Sequence, residues 1–118
     1  MRGGQNEKPG ERIVSSFADD PEMKELIEYF VSELPQRTKA LEQAWQAADF
    51  GSLSRLAHQL KGAAGGFGFA QIGEVAGEIE SSIGHAPVGE DTVRALETQV
   101  RRLLDLCARA AADSTTRS

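Results

Sequence analysis

Apolar residues recur along most of this chain at spacings of three, four and seven, a period that belongs to α-helices and not to strands. The longest run is Met23, Leu26, Ile27, Phe30, Val31, Leu34, Leu41, Trp45 and Ala48, one continuous stripe. Asp20-Pro21-Glu22 stands in front of it as a start signal. Asp can cap orphan amides, Pro tolerates the first helical position, and an acid favours the positive end of the helix dipole. Pro35 interrupts the stripe and removes one backbone hydrogen bond. The stripe stays in phase beyond it, which predicts one bent helix instead of two.

Asp49 can cap a second helix that turns Leu53, Leu56, Leu60, Ala63 and Ala64 inward and ends in Gly65-Gly66-Phe67-Gly68, with Gly68 serving the turn. A third, over about 70–82, buries Ile72, Val75, Ala76, Ile79 and Ile83, and a turn over 84–89 follows. The last begins near Asp91 and presents Val93, Leu96, Val100, Leu103, Leu104 and Cys107. Ahead of the long stripe, Ile13, Val14 and Phe17 share one face over about two turns, which predicts a short leading helix. No alternating β pattern of useful length and no internal repeat is present. The expected fold is all-α: an antiparallel up-down-up-down four-helix bundle with the short N-terminal helix laid across one end. Residues 1–10 and 113–118 are polar and without period, and are expected to be flexible tails on a single domain over 11–112.

Composition narrows the function. Lys and Arg number 13 against 18 Asp and Glu, and the cations are scattered, which argues against a surface that tracks nucleic-acid phosphates. The single cysteine, Cys107, cannot form an internal disulfide, so nothing requires an oxidising compartment. Residues 1–11 hold no apolar core of a leader, and no uninterrupted apolar stretch approaches the ~20 residues of a spanning helix. A cytoplasmic protein without membrane contact is expected. With no second apolar stripe evident, so is a monomer.

Of two histidines, His58 lies in the middle of the second helix. At roughly 100° per residue, Leu53, Leu56, Leu60, Ala63 and Phe67 fall within about 40° of the side opposite His58. The imidazole therefore points away from its own helix's apolar stripe. The same count places Ser54, Arg55, Lys61, Gly62 and Gly65 within about 60° of it, as one accessible patch. Lys61, three residues on, can reach an anion held on the ring. Gly62, four residues on, costs ~1 kcal/mol relative to Ala in a helix interior, and the room it leaves would let another protein's surface approach closely. An ordinary imidazole has a neutral, nucleophilic nitrogen at physiological pH and, once phosphorylated, is a good leaving group. No GxxxxGK[ST] loop is present, and residues 62–68 lack the strand and lysine position such a loop needs.

His58-Gln59-Leu60-Lys61-Gly62, followed by Gly68, resembles the His-x-Leu-Lys-Gly…Gly signature of histidine phosphotransfer (HPt) domains in multistep two-component phosphorelays. Asp19-Asp20-Pro21-Glu22-Met23, Ser32-Glu33-Leu34-Pro35 and Asp49…Leu56-Ala57-His58 are also similar to that family, so the likeness spans about residues 11–110. The resemblance implies a phosphocarrier and not an enzyme, with the phosphoryl group on His58, Lys61 near the phosphate, and Gly62 where a receiver domain docks. It further implies that response-regulator receiver domains are partners, together with a hybrid sensor histidine kinase. No cofactor is expected on this chain, since the receiver would bring the Mg²⁺ and the aspartate. The family places a Gln or Glu on the following helix against the other ring nitrogen, and Glu80 is the candidate. It lies on a flank shared with Gly73, Gly77 and Gly84, where a neighbouring helix could come close. A solvated glutamate on a charged face reads equally well.

Other residues carry less. His85 in the turn suits a helix C-terminus, and neither histidine has a glutamate three residues before it, so no bundle metal site is expected. Cys107 and Trp45 lie in phase with core positions. The alternative function is an interaction module that binds a receiver or kinase without being phosphorylated, although such a module would not need both the nucleophile and Lys61. The dimerising histidine domain of a sensor kinase carries an acid directly after the histidine, where Gln59 stands here.

Overall fold

A computed structural model describes residues 12–84 and 88–111. Four helices make up the body: α1 over Lys24–Gln46, α2 over Phe50–Gly66, α3 over Ala70–Gly84 and α4 over Glu90–Arg109. Two-residue strands, β1 (Ile13–Val14) and β2 (Ala110–Ala111), pair in parallel and join the leading segment to the end of α4.

The helix starts follow local chemistry. The Asp20 carboxylate accepts the Glu22 backbone N–H at 2.9 Å and opens a 3₁₀ turn, Pro21–Met23, that leads into α1. At α2 the Asp49 carboxylate accepts the Ser52 N–H at 3.1 Å and its hydroxyl at 2.8 Å. These two bonds hold the Asp49 carboxyl below its ordinary range. α1 runs unbroken through Pro35, as the in-phase stripe requires. It ends before Ala48, whose φ of 55° turns the chain towards α2.

The core draws on all four helices. Ile27, Phe30, Leu34 and Leu41 of α1 meet Leu53, Leu60, Ile72, Ile79, Leu96 and Leu103, all buried. Phe30 is stacked on Phe67 and Phe69, with ring centroids 5.2 and 5.4 Å away, which locks the α2–α3 turn onto α1. Trp45 packs partly buried against the core, edge-on to Phe50 at 6.4 Å. Cys107 is buried, and desolvation pushes its thiol up to about 12, with Arg37 pulling weakly the other way. It is a packing residue.

The structure corrects several expectations. No helix forms over Ile13 to Phe17. Ile13 and Val14 are extended, and the next residues bond to distant partners: Ser15 Oγ donates to the Phe67 carbonyl at 2.6 Å and Ser16 N–H to the Gly68 carbonyl at 2.9 Å. Non-local bonds thus override the weak helical period of a short segment. Leu26 is 49% exposed and Val93 38%, so neither belongs to the core. Ala57 and Leu106, absent from the expected core, are fully buried. On α2 the buried side is Leu53, Ala57, Leu60 and Ala64, rotated by about 50° from the side that the large residues alone suggest. The rotation is towards α3, where small residues allow the closest packing. α3 continues through Gly84, where a turn was expected, and His85 lies outside the described residues.

The leading segment forms a strap over the α2–α3 turn, and Gly68 is its hinge point. Gly68 has φ +85°, and a Cβ there would collide with Ser15 Oγ, Ser16 Oγ and the Phe17 ring. Left-handed backbone costs a non-glycine residue ~1–2 kcal/mol before any collision. Gly68→Ala is therefore expected to lower unfolding free energy by more than ~1 kcal/mol in urea titrations. Gly66→Ala, two residues earlier in open space, should not.

Candidate functional site at His58

Helix α2 delivers His58 to the surface because its buried side is fully occupied by Leu53, Ala57, Leu60 and Ala64. The His58 side chain is 68% exposed. Opposite it, α3 packs against α2 at close range. A Cβ on Gly73 would sit 3.5 Å from the Lys61 carbonyl oxygen and 3.8 Å from the Gly65 nitrogen, so backbone nearly touches backbone there. His58 meets Glu80, Lys61 meets Gly77 and Gly65 meets Gly73, so contacts descend α3 as they ascend α2. The two helices run antiparallel.

This packing brings Glu80 to the ring. His58 Nδ1 lies 2.8 Å from Glu80 Oε2. An ionised carboxylate can only accept, so Nδ1 carries the hydrogen, and in the neutral form of the ring the lone pair is then on Nε2. The second oxygen, Glu80 Oε1, is 4.0 Å from Lys61 Nζ. One carboxylate thus holds the ring with one oxygen and attracts a cation with the other. Lys61 is 55% exposed and Glu80 31%, so the cluster is wet, and the contribution of its ion pair to stability is small.

The remaining predicted site residues fall around this centre. Gly62 and Gly65 are exposed on the same side of α2, and a Cβ on either would meet nothing within 4 Å. Neither glycine is required by packing inside the chain. Ser54 is half-buried on the turn before His58. Arg55 is exposed and leans back to Ser52, with Nη2 3.5 Å from Ser52 Oγ, away from the ring. Gly68, expected to serve the turn, lies in the α2–α3 connection under the strap. Among the described residues no group of three or more His, Cys, Asp or Glu side chains could hold a metal ion. Among the same residues no helix is long and apolar enough to cross a membrane.

Two features were not evident from the sequence. Gly77 lies beneath the Lys61 side chain, an arrangement that only the inter-helix register reveals. Ser15 was read as part of a helix, yet its buried hydroxyl also accepts the Phe17 N–H at 2.9 Å and ties the strap together.

An exposed imidazole with one nitrogen held by a carboxylate, a cation within reach and an open glycine beside it can accept and release an electrophilic group. The family model for the Hpt domain matches residues 25–113, and the chain belongs to the Hpt domain family. Hpt domains are phosphocarrier modules that work with receiver domains and kinases in phosphorelays. Comparison with curated proteins and with solved structures returned no match. The β1 strap precedes the matched region.

Because Gly62 is helical and unconfined, Gly62→Ala is expected to raise stability by up to ~1 kcal/mol through helix propensity. Chemical denaturation of the two proteins measures this, and a loss of stability would show that Gly62 serves the fold.

Proposed function

We propose that this protein relays a phosphoryl group between receiver-domain aspartates through Nε2 of His58. The observation that carries the reading is the 2.8 Å contact between Nδ1 and Glu80 on a ring that stays open to solvent. In the forward step the Nε2 lone pair attacks phosphorus of an aspartyl phosphate, the N–P bond forms, and the P–O bond breaks to release the partner's carboxylate. The proton stays on Nδ1, where Glu80 opposes the positive charge that the ring acquires. Return of the phosphoryl group to a second aspartate reverses the sequence. The reaction is nearly all positioning and charge stabilisation, so Mg²⁺ and the acceptor aspartate belong to the receiver, and this chain needs no catalytic site or cofactor of its own.

Several side chains have roles in this reading. Lys61 attends the phosphoryl oxygens, and Gly62 and Gly65 keep the approach to the ring low. Arg55 and Ser54 lie at the margin of the docking patch. Its partners in this reading are response-regulator receiver domains and a hybrid sensor histidine kinase, and the carrier acts as a monomer. The connections after α1 and α2 are short, at 47–49 and 67–69, and together with the antiparallel α2–α3 pair they favour an up-down-up-down course for the whole bundle.

Incubation with a receiver phosphorylated on its aspartate tests the proposal. Label should appear on the wild-type protein in an acid-labile, alkali-stable form, and His58→Gln should take up none. Lys61→Ala should slow transfer about tenfold, equivalent to ~1.4 kcal/mol of transition-state stabilisation. Label on His58→Gln would place the phosphosite elsewhere. Receiver binding without label on the wild type would instead favour a docking module.

A further inference from the structure

Lys61 is a long, flexible side chain on an exposed helix, yet it lies in a defined place. Its stem crosses Gly77 on α3: a Cβ there would be 3.4 Å from Lys61 Cδ and 3.7 Å from Cε. The ammonium then ends 4.0 Å from Glu80 Oε1, three residues further along α3. Gly77 and Glu80 are neighbours on one helix face. The first provides a channel for the methylenes and the second a terminus for the charge. Long cationic side chains commonly bury their stems on apolar or bare backbone surface while the head stays in water.

We infer that Gly77 is a positioning residue for phosphoryl transfer: its bare backbone seats the Lys61 stem so that the ammonium waits on Glu80 beside the His58 ring. Seating removes much of the rotamer entropy of a lysine before the phosphoryl group arrives. Once Nε2 is phosphorylated, the ammonium needs only to swing from Glu80 Oε1 to the phosphoryl oxygens. Gly77 touches neither the ring nor the phosphate, so it acts through Lys61 alone. Helix α3 accepts a glycine at this position despite its propensity cost, and Gly77 is only half-buried, so core packing does not account for it.

The inference rests on the phosphocarrier reading, and the test separates the two. Gly77→Val places branched methyl groups where the stem lies, with one strongly preferred side-chain rotamer in a helix. Valine has better helix propensity than glycine, so the variant should fold, which circular dichroism and urea titration verify. Gly84→Ala, on the same helix with nothing within 4 Å of the added carbon, is the control. With a phosphorylated receiver as donor, Gly77→Val should transfer about tenfold more slowly than wild type, matching Lys61→Ala, while Gly84→Ala keeps the wild-type rate. In a Lys61→Ala background, Gly77→Val should cause no further loss. Equal rates for Gly77→Val and Gly84→Ala would overturn the inference. So would a loss in Gly77→Val that persists undiminished without Lys61. Independently of any transfer, proton NMR of the unphosphorylated protein should show a nuclear Overhauser contact between Gly77 Hα and Lys61 Hδ. Its absence would remove the seat itself, whereas its presence with no label on His58 would count against the phosphocarrier reading alone.

Discussion

The approach of α3 to α2 is set by what is missing from their facing surfaces. Gly73 stands opposite the α2 backbone, Ala64 lies 3.9 Å from the position its Cβ would take, and Gly77 faces only a lysine stem. Helix separation depends on the side chains at the contact, so a larger residue at Gly73, which faces α2 backbone, would push Glu80 away from the imidazole. A hydrogen bond tolerates little of this: 2.8 Å is near optimal, and a displacement of an ångström would abolish it. The chemistry of the exposed ring therefore depends on packing beneath it, where glycine accepts a helix-propensity penalty in exchange for proximity.

A phosphocarrier has opposing requirements. Its nucleophile must be accessible to different partners, which argues for exposure, but it must also be held in one tautomer and orientation, which argues for rigid support. In the proposed relay both are met by His58, which stands mid-helix on a buried scaffold. Leu53, Ala57, Leu60 and Ala64 anchor α2 from below, Glu80 fixes the ring from the side, and Gly62 and Gly65 leave the approach open. The strap formed by β1 and Ser15 secures the distal end of the same helix pair, since Ser15 bonds to Phe67 in the turn that joins α2 and α3. Phe30, stacked on Phe67 and Phe69, fixes that turn to α1.

Much of this was legible from residue spacing. The apolar stripes identified four helices, and Pro35 fell inside one of them because the stripe kept its phase across it. The outward direction of His58 followed from counting about 100° per residue. Glu80 was singled out through the resemblance, which implies a Gln or Glu on the following helix, and its flank shared with Gly73, Gly77 and Gly84 made it the candidate. Pairwise register was not legible, because a single helix's periodicity says nothing about which residue of its neighbour stands opposite. That is why Gly77 was recognised only as part of a flank and not as the seat of Lys61. Counting large apolar residues also missed Ala57, since the face of α2 that packs most tightly is its smallest. The segment from Ile13 to Phe17 misled for a different reason: its partners, Phe67, Gly68 and Ala110, are far away in sequence, and no local pattern encodes them.

The central physical claim is that the exposed imidazole is held through Nδ1, leaving Nε2 as the reactive atom. Long-range ¹⁵N–¹H correlation spectra of the unphosphorylated protein read this directly, because protonated and unprotonated ring nitrogens have well-separated ¹⁵N shifts. The account predicts a protonated Nδ1 and an unprotonated Nε2 for neutral His58, with that preference lost in Glu80→Ala. A neutral His58 protonated mainly at Nε2, or a preference indifferent to Glu80, would contradict it.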